Sequence, residues 1–309
     1  MSSHLQDRSP TVGRFAPSPT GPLHFGSLVA ALGSYLSAKK NRGRWLVRIE
    51  DLDPPRVVPG AAAALLRLLE ALAFEWDGEV IYQSRRFERY RQVLQQLSEQ
   101  GLTFPCSCSR REIIASAPQP GEDGPIYPGT CRRGPVGQRR ERAIRLRVPD
   151  EELLCQDQIF GPLRQNLRRD VGDFVLRRTD GLYAYQLAVV IDDIDSGVNQ
   201  VVRGADLFSS TPRQVFLYRC LQQPLPDYFH LPLVLGVDAK KLSKRYGPSA
   251  LITVQNGRQA LWWALEFLGQ QPPQELAGAA AAELLSWGIE HFSPDLVQTA
   301  GQPAPVLSN

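Results

Sequence analysis

Two stretches far apart in the chain carry side chains suited to a polyphosphate. The first covers residues 11–27, TVGRFAPSPTGPLHFGS. A short apolar strand with Val12 and Phe15 runs into a turn holding Pro17, Pro19, Gly21 and Pro22, and a helix opens near His24-Phe25-Gly26-Ser27. Proline fixes φ, so the turn is pre-organised. A helix amino terminus offers unpaired N–H groups and positive partial charge, a natural seat for an anion. Gly26 removes a side chain where a ligand could approach the backbone, and His24 and Ser27, three apart, share a helical face. The second stretch is Lys240-Lys241-Leu242-Ser243-Lys244-Arg245, with four cations in six residues. Alone, the first reads equally as a strand–turn–helix with an incidental histidine, and the second as an exposed basic loop. A third group, Cys106-Ser-Cys108 with Cys131 across a loop, can make three corners of a zinc tetrahedron.

Taken together, RFAPSPTGPLHFGS and the later KLSKR resemble the HIGH and KMSKS signatures of class I aminoacyl-tRNA synthetases, in the form of the glutamate branch. The resemblance runs from about residue 11 to 247. It departs from the pattern at HFGS, where Ser27 replaces a second histidine and cannot carry imidazolium charge, and at KLSKR. Such a family implies attack of a carboxylate on the α-phosphorus of ATP, with alignment and charge neutralisation as the protein's task. The resemblance assigns His24, Gly26 and Ser27 to ATP phosphates, and Lys244 to the departing pyrophosphate, with Lys241 and Arg245 assisting. Mg²⁺ would arrive with ATP. A glutamate side chain wants a guanidinium fork, for which Arg14 and Arg203 are the candidates, and its ammonium wants an acceptor, for which Glu50 at a strand end suits. The resemblance adds Phe15, Ala16, Pro17, Ser18 and Tyr185 to the glutamate pocket. Glu50 has another available role, pairing with Arg48 or Arg56. Asp192, Asp193 and Asp195 read as a solvated acidic helix end rather than a metal site.

The cysteine cluster is similar to that of the glutamyl-queuosine tRNA(Asp) synthetase branch: Cys-x-Cys, then Tyr-x-x-x-Cys. That implies one structural zinc on Cys106, Cys108, Tyr127 and Cys131, with Glu112, Glu122 and Asp123 as oxygen alternatives to Tyr127. Cys155 and Cys220 read as buried, inert thiols. The segment after Cys131 holds Arg132, Arg133, Arg139, Arg140, Arg142, Arg145 and Arg147. It is either a phosphate-binding surface for RNA or a strand with one solvated face.

These residues need a scaffold to hold them. Strand 11–16, helix 24–40 and strand 44–50 form a βαβ unit, hence a doubly wound parallel α/β sheet of the Rossmann-like class I synthetase kind, with ligands beyond the carboxyl ends of the strands. Helices follow at 61–74 and 85–100. Residues 105–149, rich in Cys, Gly, Pro and Arg, read as a zinc-containing insertion rather than a sheet element. Strands at 174–178, 198–203 and 231–237, with helices at 187–195 and 211–221, rebuild the second half of the domain over 150–250. The first half is 1–104. Residues 251–309 form a short helical region, helices 257–268 and 276–288, taken to be too small for an anticodon-binding domain.

Composition sets bounds. In 309 residues, 43% are hydrophobic and the net charge is +3, so RNA contact must come from local patches. No stretch approaches about 18 apolar residues, and five cysteines, three of them clustered, argue against a disulfide framework. The expectation is a cytoplasmic monomer without a membrane partner, acting on glutamate, ATP and queuosine-containing tRNA(Asp). The competing expectation is the core of an ordinary glutamyl-tRNA synthetase charging the tRNA 3′ end.

Overall fold

The computed structural model describes residues 10–117, 120–121, 124–134, 143–236, 238, 241–242 and 251–305. Strand β1 (Val12–Phe15), helix α1 (Phe25–Lys40) and strand β2 (Arg44–Ile49) make the expected βαβ unit, with β1 and β2 parallel from Val12↔Arg44 to Phe15↔Val47. Helix α2 (Ala61–Ala71) leads to β3 (Ile81–Tyr82), parallel to β2, and helix α3 (Phe87–Glu99) follows. Next come β4 (Thr103–Cys106), α4 (Arg110–Ser116), the short pair β5 (Pro120–Gly121) and β6 (Gly124–Pro125), and β7 (Ala143–Leu146). A hairpin of β8 (Glu152–Asp157) and β9 (Gly161–Asn166) precedes α5 (Leu167–Asp170) and β10 (Val175–Arg177). Helix α6 (Tyr185–Asp195), β11 (Gln200–Gly204), α7 (Thr211–Cys220) and β12 (Asp227–Leu231) complete the second half. The chain ends with β13 (Val234–Leu235), α8 (Gly257–Phe267), α9 (Ala281–His291) and β14 (Gln302–Pro303), β14 pairing in parallel with β13.

The parallel strands fall into two groups, β1-β2-β3 and β11-β12-β8, which meet along β1 and β11. There the Asn199 N–H donates to Val12 O at 3.1 Å, and the Val12 N–H donates to Asn199 Oδ1 at 2.8 Å. The chain builds one way from β1 and later the other way from β11. A crevice opens where the strand order turns, at the carboxyl ends of these two strands.

Helix α1 is apolar almost all round, and its buried residues include Phe25, Leu28, Leu32 and Leu36. A helix hydrophobic on every side must be covered on every side. The sheet covers one flank. The other is covered by α8 and α9, whose Leu261, Leu265, Leu284 and Leu285 join the same core. Gly33 permits the approach to β12, because a Cβ there would lie 2.7 Å from Leu231 Cδ1. The carboxyl-terminal helices therefore share one core with the helix that follows the first turn.

Three expectations change. The segment 105–149 is not free of sheet: β4 and β7 at its ends pair antiparallel, and β10 adds to β7 in the order β4-β7-β10. The strand expected at 231–237 is β12 at Asp227–Leu231 followed by the short β13. Pro232 between them lacks the N–H needed to continue a ladder. The β8–β9 hairpin was not anticipated at all. In β8 the buried positions are Leu153, Cys155 and Asp157, and an acid on the inward face hides the apolar alternation.

Candidate active site

Residues 16–24 run from the end of β1 to the start of α1 as a turn tied to its surroundings. The Glu50 N–H donates to Pro17 O at 2.9 Å and the Val58 N–H to Pro19 O at 2.9 Å. His24 is the N-cap of α1. Its Nδ1 accepts the Ser27 N–H at 3.1 Å, and its Nε2 lies 3.1 Å from Ser27 Oγ. An N–H donor at Nδ1 leaves the ring proton for Nε2, and hence for the serine oxygen. Gly26 leaves room for the ring, since a Cβ there would sit 3.3 Å from two His24 ring atoms.

A cavity of about 460 Å³ opens at this turn. Its walls include Arg14, Phe15, Ala16, Pro17, Ser18, His24, Gly26 and Ser27 from the first stretch, Glu50 from the end of β2, Tyr185 from the start of α6, Arg203 from β11, and Lys241. Every described residue that the sequence assigned to glutamate or ATP is in that set. A larger cavity of about 660 Å³ lies by Cys108, Tyr127 and Arg145, but it gathers none of them. Convergence of unlike polar groups, not size, marks the candidate site. Lys241 Nζ is ion-paired with Asp206. Lys244 and Arg245 lie outside the described residues. Their flanks do not: the Leu242 N–H donates to Val234 O at 2.7 Å, Leu251 bridges to His24, and the Ile252 N–H donates to Leu23 O at 2.8 Å.

Beneath the cavity lies a buried charge cluster. Arg14 donates from Nε to Asp193 Oδ1 at 3.3 Å and from Nη1 to Val202 O at 3.2 Å. Arg48, 1% exposed, donates to the same Asp193 oxygen at 2.6 Å and reaches Glu50 Oε1 at 3.4 Å. Burial presses the Asp193 carboxyl upward, but Arg48 and Arg14 outweigh it and hold it below the usual carboxylate range. Burial raises Glu50 more than Arg48 and Arg14 lower it. Tyr185 is raised by burial too. Asp192 accepts from Arg86 Nε at 2.6 Å, Gln83 Nε2 at 2.7 Å and Tyr90 Oη at 2.9 Å. The expected solvated acidic helix end is thus overturned for Asp192 and Asp193, which are 0% and 4% exposed. They are counter-ions for buried arginines, and Asp195 alone of the three sits nearer solvent, paired with Arg86 and Arg89. The sequence carried a hint, since VVIDDI sets Asp192 and Asp193 in an apolar run, where charges need partners.

Arg203 is 5% exposed. It donates from Nε to His230 Nε2 at 2.9 Å, from Nη1 to Gln214 Oε1 at 2.7 Å, and from Nη2 to Thr211 Oγ1 at 3.0 Å and Leu207 O at 3.3 Å. Most of its donors are engaged, so of the two guanidinium groups Arg14 keeps more of its fork for a ligand. Sequence reasoning passed over His230, Gln214 and Thr211, which become neighbours of Arg203 only through the sheet and α7.

The cysteine cluster forms a second, separate group. The Sγ atoms of Cys106, Cys108 and Cys131 lie within 4.8 Å of one another. Tyr127 Oη is 3.5 Å from Cys106 Sγ and 3.8 Å from Cys108 Sγ, and it accepts the Cys131 N–H at 2.8 Å. The Cys108–Cys131 Sγ separation of 3.5 Å is no disulfide. Burial opposes ionisation of Cys131, but hydrogen bonds from Ser107 and Tyr127 bring its thiol down to about 6; burial pushes Cys108 up to about 11. Glu112 is turned away into a capping box with Ser109, and Glu122 and Asp123 lie outside the described residues. Burial pushes the Cys155 and Cys220 thiols up to about 11; Cys155 is buried as expected, whereas Cys220 is only half-buried. Arg145 and Arg147 do not form a solvated face. Arg145, 8% exposed, lies 3.9 Å over the Tyr127 ring and donates to Asp173 O, while Arg147 stacks on Phe104 and donates to Arg132 O. Arg139, Arg140 and Arg142 lie outside the described residues.

Residues 11–260 match the family model of class I tRNA synthetases (E and Q), catalytic domain. The chain is 55% identical over 290 residues to a Glutamyl-Q tRNA(Asp) synthetase of Dechloromonas aromatica, covering 94% of this chain and 96% of that protein. The chain belongs to this family of class I tRNA synthetases. A second relative of the same name, from Geobacter sulfurreducens, is 52% identical over 300 residues, covering 95% and 96% of the two chains. A crystal structure of a glutamate tRNA ligase from Elizabethkingia meningosepticum in complex with its amino acid superposes with a TM-score of 0.78 at 25% identity, covering 96% of this chain and 68% of that one. A class I synthetase catalytic domain thus accounts for the parallel sheet and for a crevice at its strand ends. No helix among the described residues is long and apolar enough to cross a membrane.

The buried cluster makes a direct prediction. Asp193→Asn removes the counter-charge shared by Arg14 and Arg48 while keeping shape. Breaking a buried pair by removing one partner costs about 3–5 kcal/mol, and urea unfolding should register a loss of that order. Because the Asp193 carboxyl is held low, its stabilisation is present above the unfolded carboxyl value of about 3.9 and is lost as pH falls through the folded one. The variant should therefore show a shallower acid limb; a loss under about 1 kcal/mol with an unchanged acid limb would refute the role.

Proposed function

We propose that this chain activates glutamate with ATP and transfers the glutamyl group to the queuosine base in the anticodon loop of tRNA(Asp). The observation that carries the reading is one cavity, at the carboxyl ends of β1, β2 and β11, whose lining includes the guanidinium groups of Arg14 and Arg203, the carboxylate of Glu50 and a capped helix amino terminus. Glutamate carries two carboxylates and one ammonium, and this set has the complementary signs. Arg14 is the better placed fork for one carboxylate, with Arg203 contributing charge and a remaining donor. Glu50 is the acceptor for the ammonium. Burial raises its ionisation range, and an ammonium arriving beside it would act in the opposite sense, as Arg48 and Arg14 already do.

In the first step a glutamate carboxylate oxygen attacks the α-phosphorus of ATP, an acyl–phosphate bond forms, and pyrophosphate leaves with the electron pair of the broken bond. The nucleophile is already anionic, so the protein supplies alignment and charge. The amino end of α1, with His24 and Ser27, suits the phosphates, and Lys241, Lys244 and Arg245 suit the departing pyrophosphate, with Mg²⁺ carried by ATP. In the second step a hydroxyl oxygen of the queuosine cyclopentene diol attacks the acyl carbon, an ester bond forms as the acyl–phosphate bond breaks, AMP leaves with that electron pair, and the hydroxyl proton passes to the AMP phosphate or to water. The acceptor rests on the likeness to relatives named Glutamyl-Q tRNA(Asp) synthetase, which spans nearly the whole of both chains. An anticodon loop presents splayed bases that can enter a pocket, while phosphate contacts position the strand.

The cysteine cluster fits one structural zinc. Zn–S bonds of about 2.3 Å give tetrahedral S–S edges of about 3.8 Å; the Cys108 and Cys131 Sγ atoms are 3.5 Å apart, and all three thiols lie within 4.8 Å of one another. Burial and the Cys106 thiol push the Tyr127 phenol well above its usual range; the Cys131 N–H at its oxygen acts the other way, and a phenolate ligand would need the charge of the ion itself. The ion would cross-link β4 to the loop holding Tyr127 and Cys131, and it takes no part in the chemistry proposed above.

Two experiments follow. Labelled glutamate should be transferred to tRNA(Asp) from queuosine-containing cells and not to tRNA(Asp) from queuosine-deficient cells; equal labelling of both, or efficient charging of the tRNA(Glu) 3′ end, would favour an ordinary glutamyl-tRNA synthetase core. Purified protein should carry about one zinc, lost in Cys106→Ser and Cys131→Ser and held more weakly in Tyr127→Phe. Full zinc retention in Tyr127→Phe would move the fourth corner to another oxygen, and fully folded metal-free protein would remove the zinc proposal.

A further inference from the structure

His230 is wholly buried on β12 and takes no part in the chemistry described so far. It is the register partner of Arg203 on β11, and two residues before it Tyr228 is the register partner of Asp157 on β8. Three neighbouring parallel strands therefore bring Asp157, His230 and Arg203 together. His230 Nδ1 lies 2.6 Å from Asp157 Oδ2, and the His230 N–H reaches Asp157 Oδ2 at 3.1 Å. Asp157 Oδ1 also accepts the N–H groups of Ile159 at 3.0 Å and Phe160 at 2.8 Å. The carboxylate is thus fixed by backbone on one side and holds the imidazole on the other.

The far side of the ring settles the tautomer. A guanidinium has donors and no acceptor, so at the 2.9 Å contact Arg203 Nε donates and His230 Nε2 accepts. The ring proton must then sit on Nδ1, facing Asp157, and the ring is neutral. Burial and the neighbouring Arg203 both push His230 below the ordinary imidazole range, against the pull of Asp157. Among the described residues, Arg203 has no carboxylate within ion-pair distance, and its partners His230, Gln214, Thr211 and Leu207 are all neutral. Arg14 differs, with Asp193 directly against it.

We propose that Asp157 and His230 form a positioning dyad that fixes the plane of Arg203 through a neutral acceptor, leaving its positive charge undiminished toward a carboxylate of the amino-acid substrate. An acid placed directly on Nε would hold the guanidinium equally well but would cancel much of its field at the cavity. The imidazole transmits the orientation from Asp157 and keeps the negative charge one ring away. This inference rests on the reading of Arg203 as a glutamate contact.

The test uses the full chain in glutamate-dependent pyrophosphate exchange, with KM for glutamate, KM for ATP and kcat measured separately, and melting temperature alongside. His230→Gln can place an amide oxygen near the former Nε2 and accept from Arg203. His230→Asn reaches only the former Nδ1, so it can still meet Asp157 but leaves the Arg203 Nε–H without its acceptor. The dyad predicts a glutamate KM raised by about tenfold or more in His230→Asn, about threefold or less in His230→Gln, and an ATP KM within about twofold in both. Equal glutamate KM values in the two variants, or an ATP KM that rises in step, would overturn the proposal as a mere packing effect. Arg203→Lys separates the layers: if it leaves the glutamate KM unchanged, the glutamate reading of Arg203 fails; if it raises that KM while His230→Asn does not, only the dyad fails.

Discussion

Asp193 binds two buried guanidinium groups at once, and the arrangement of the cavity follows from that contact. Arg14 stands on β1 and Arg48 on β2, both inside the protein, where an uncompensated charge would be strongly destabilising. Their counter-ion comes from α6, far along the chain. The sheet can keep these arginines only if α6 docks across it. When α6 docks, its first residue, Tyr185, comes to the cavity wall, and Arg48 is left with an edge that reaches Glu50. One ion cluster thus sets a cation and an anion side by side at the strand ends. Asp192, next to Asp193, ties the same helix to Arg86 and Tyr90 around α3. Docking is fixed on two sides, and the pocket is pre-organised before any ligand arrives.

Arg14 and Arg203, two of the arginines lining the cavity, are held in different ways. Arg14 leans on a carboxylate, which lowers the net charge it presents but keeps much of its fork unspent. Arg203 is gripped on most of its donors by neutral groups, which keeps its charge but leaves little of its fork. On the proposed reading, a substrate with two carboxylates would meet one directional contact and one mainly electrostatic contact. The segment around the cysteines is a separate structural problem. It is held to the rest by the β4-β7-β10 sheet, by Arg145 against Tyr127 and by the Tyr127↔Gly172 bridge, where a glycine at φ +76° lets two backbones touch.

Local patterning made much of this legible. The turn before α1, the βαβ unit and the spacing of the cysteines could be read from residue types alone, because proline, glycine and apolar periodicity act over a few positions. What escaped depends on partners far away in the chain. Asp192 and Asp193 looked like a solvated helix end because their arginines lie on β1, β2 and near α3. Arg145 looked surface-facing because the ring it covers is Tyr127, across a loop. Asp157 disguised β8 as irregular chain, and only the register of three strands joins it to His230. The identity of the first half of the site was therefore local information, and its support was not.

The central claim is that this buried cluster readies the pocket for glutamate before any RNA binds. The most direct measurement is ATP–pyrophosphate exchange without tRNA, comparing glutamate, glutamine and aspartate in the native chain and in Arg14→Gln. The account predicts exchange with glutamate alone, and a steep rise in the glutamate requirement in the variant while ATP binding changes little. Exchange that needs tRNA, or that proceeds equally well with glutamine or without Arg14, would contradict it.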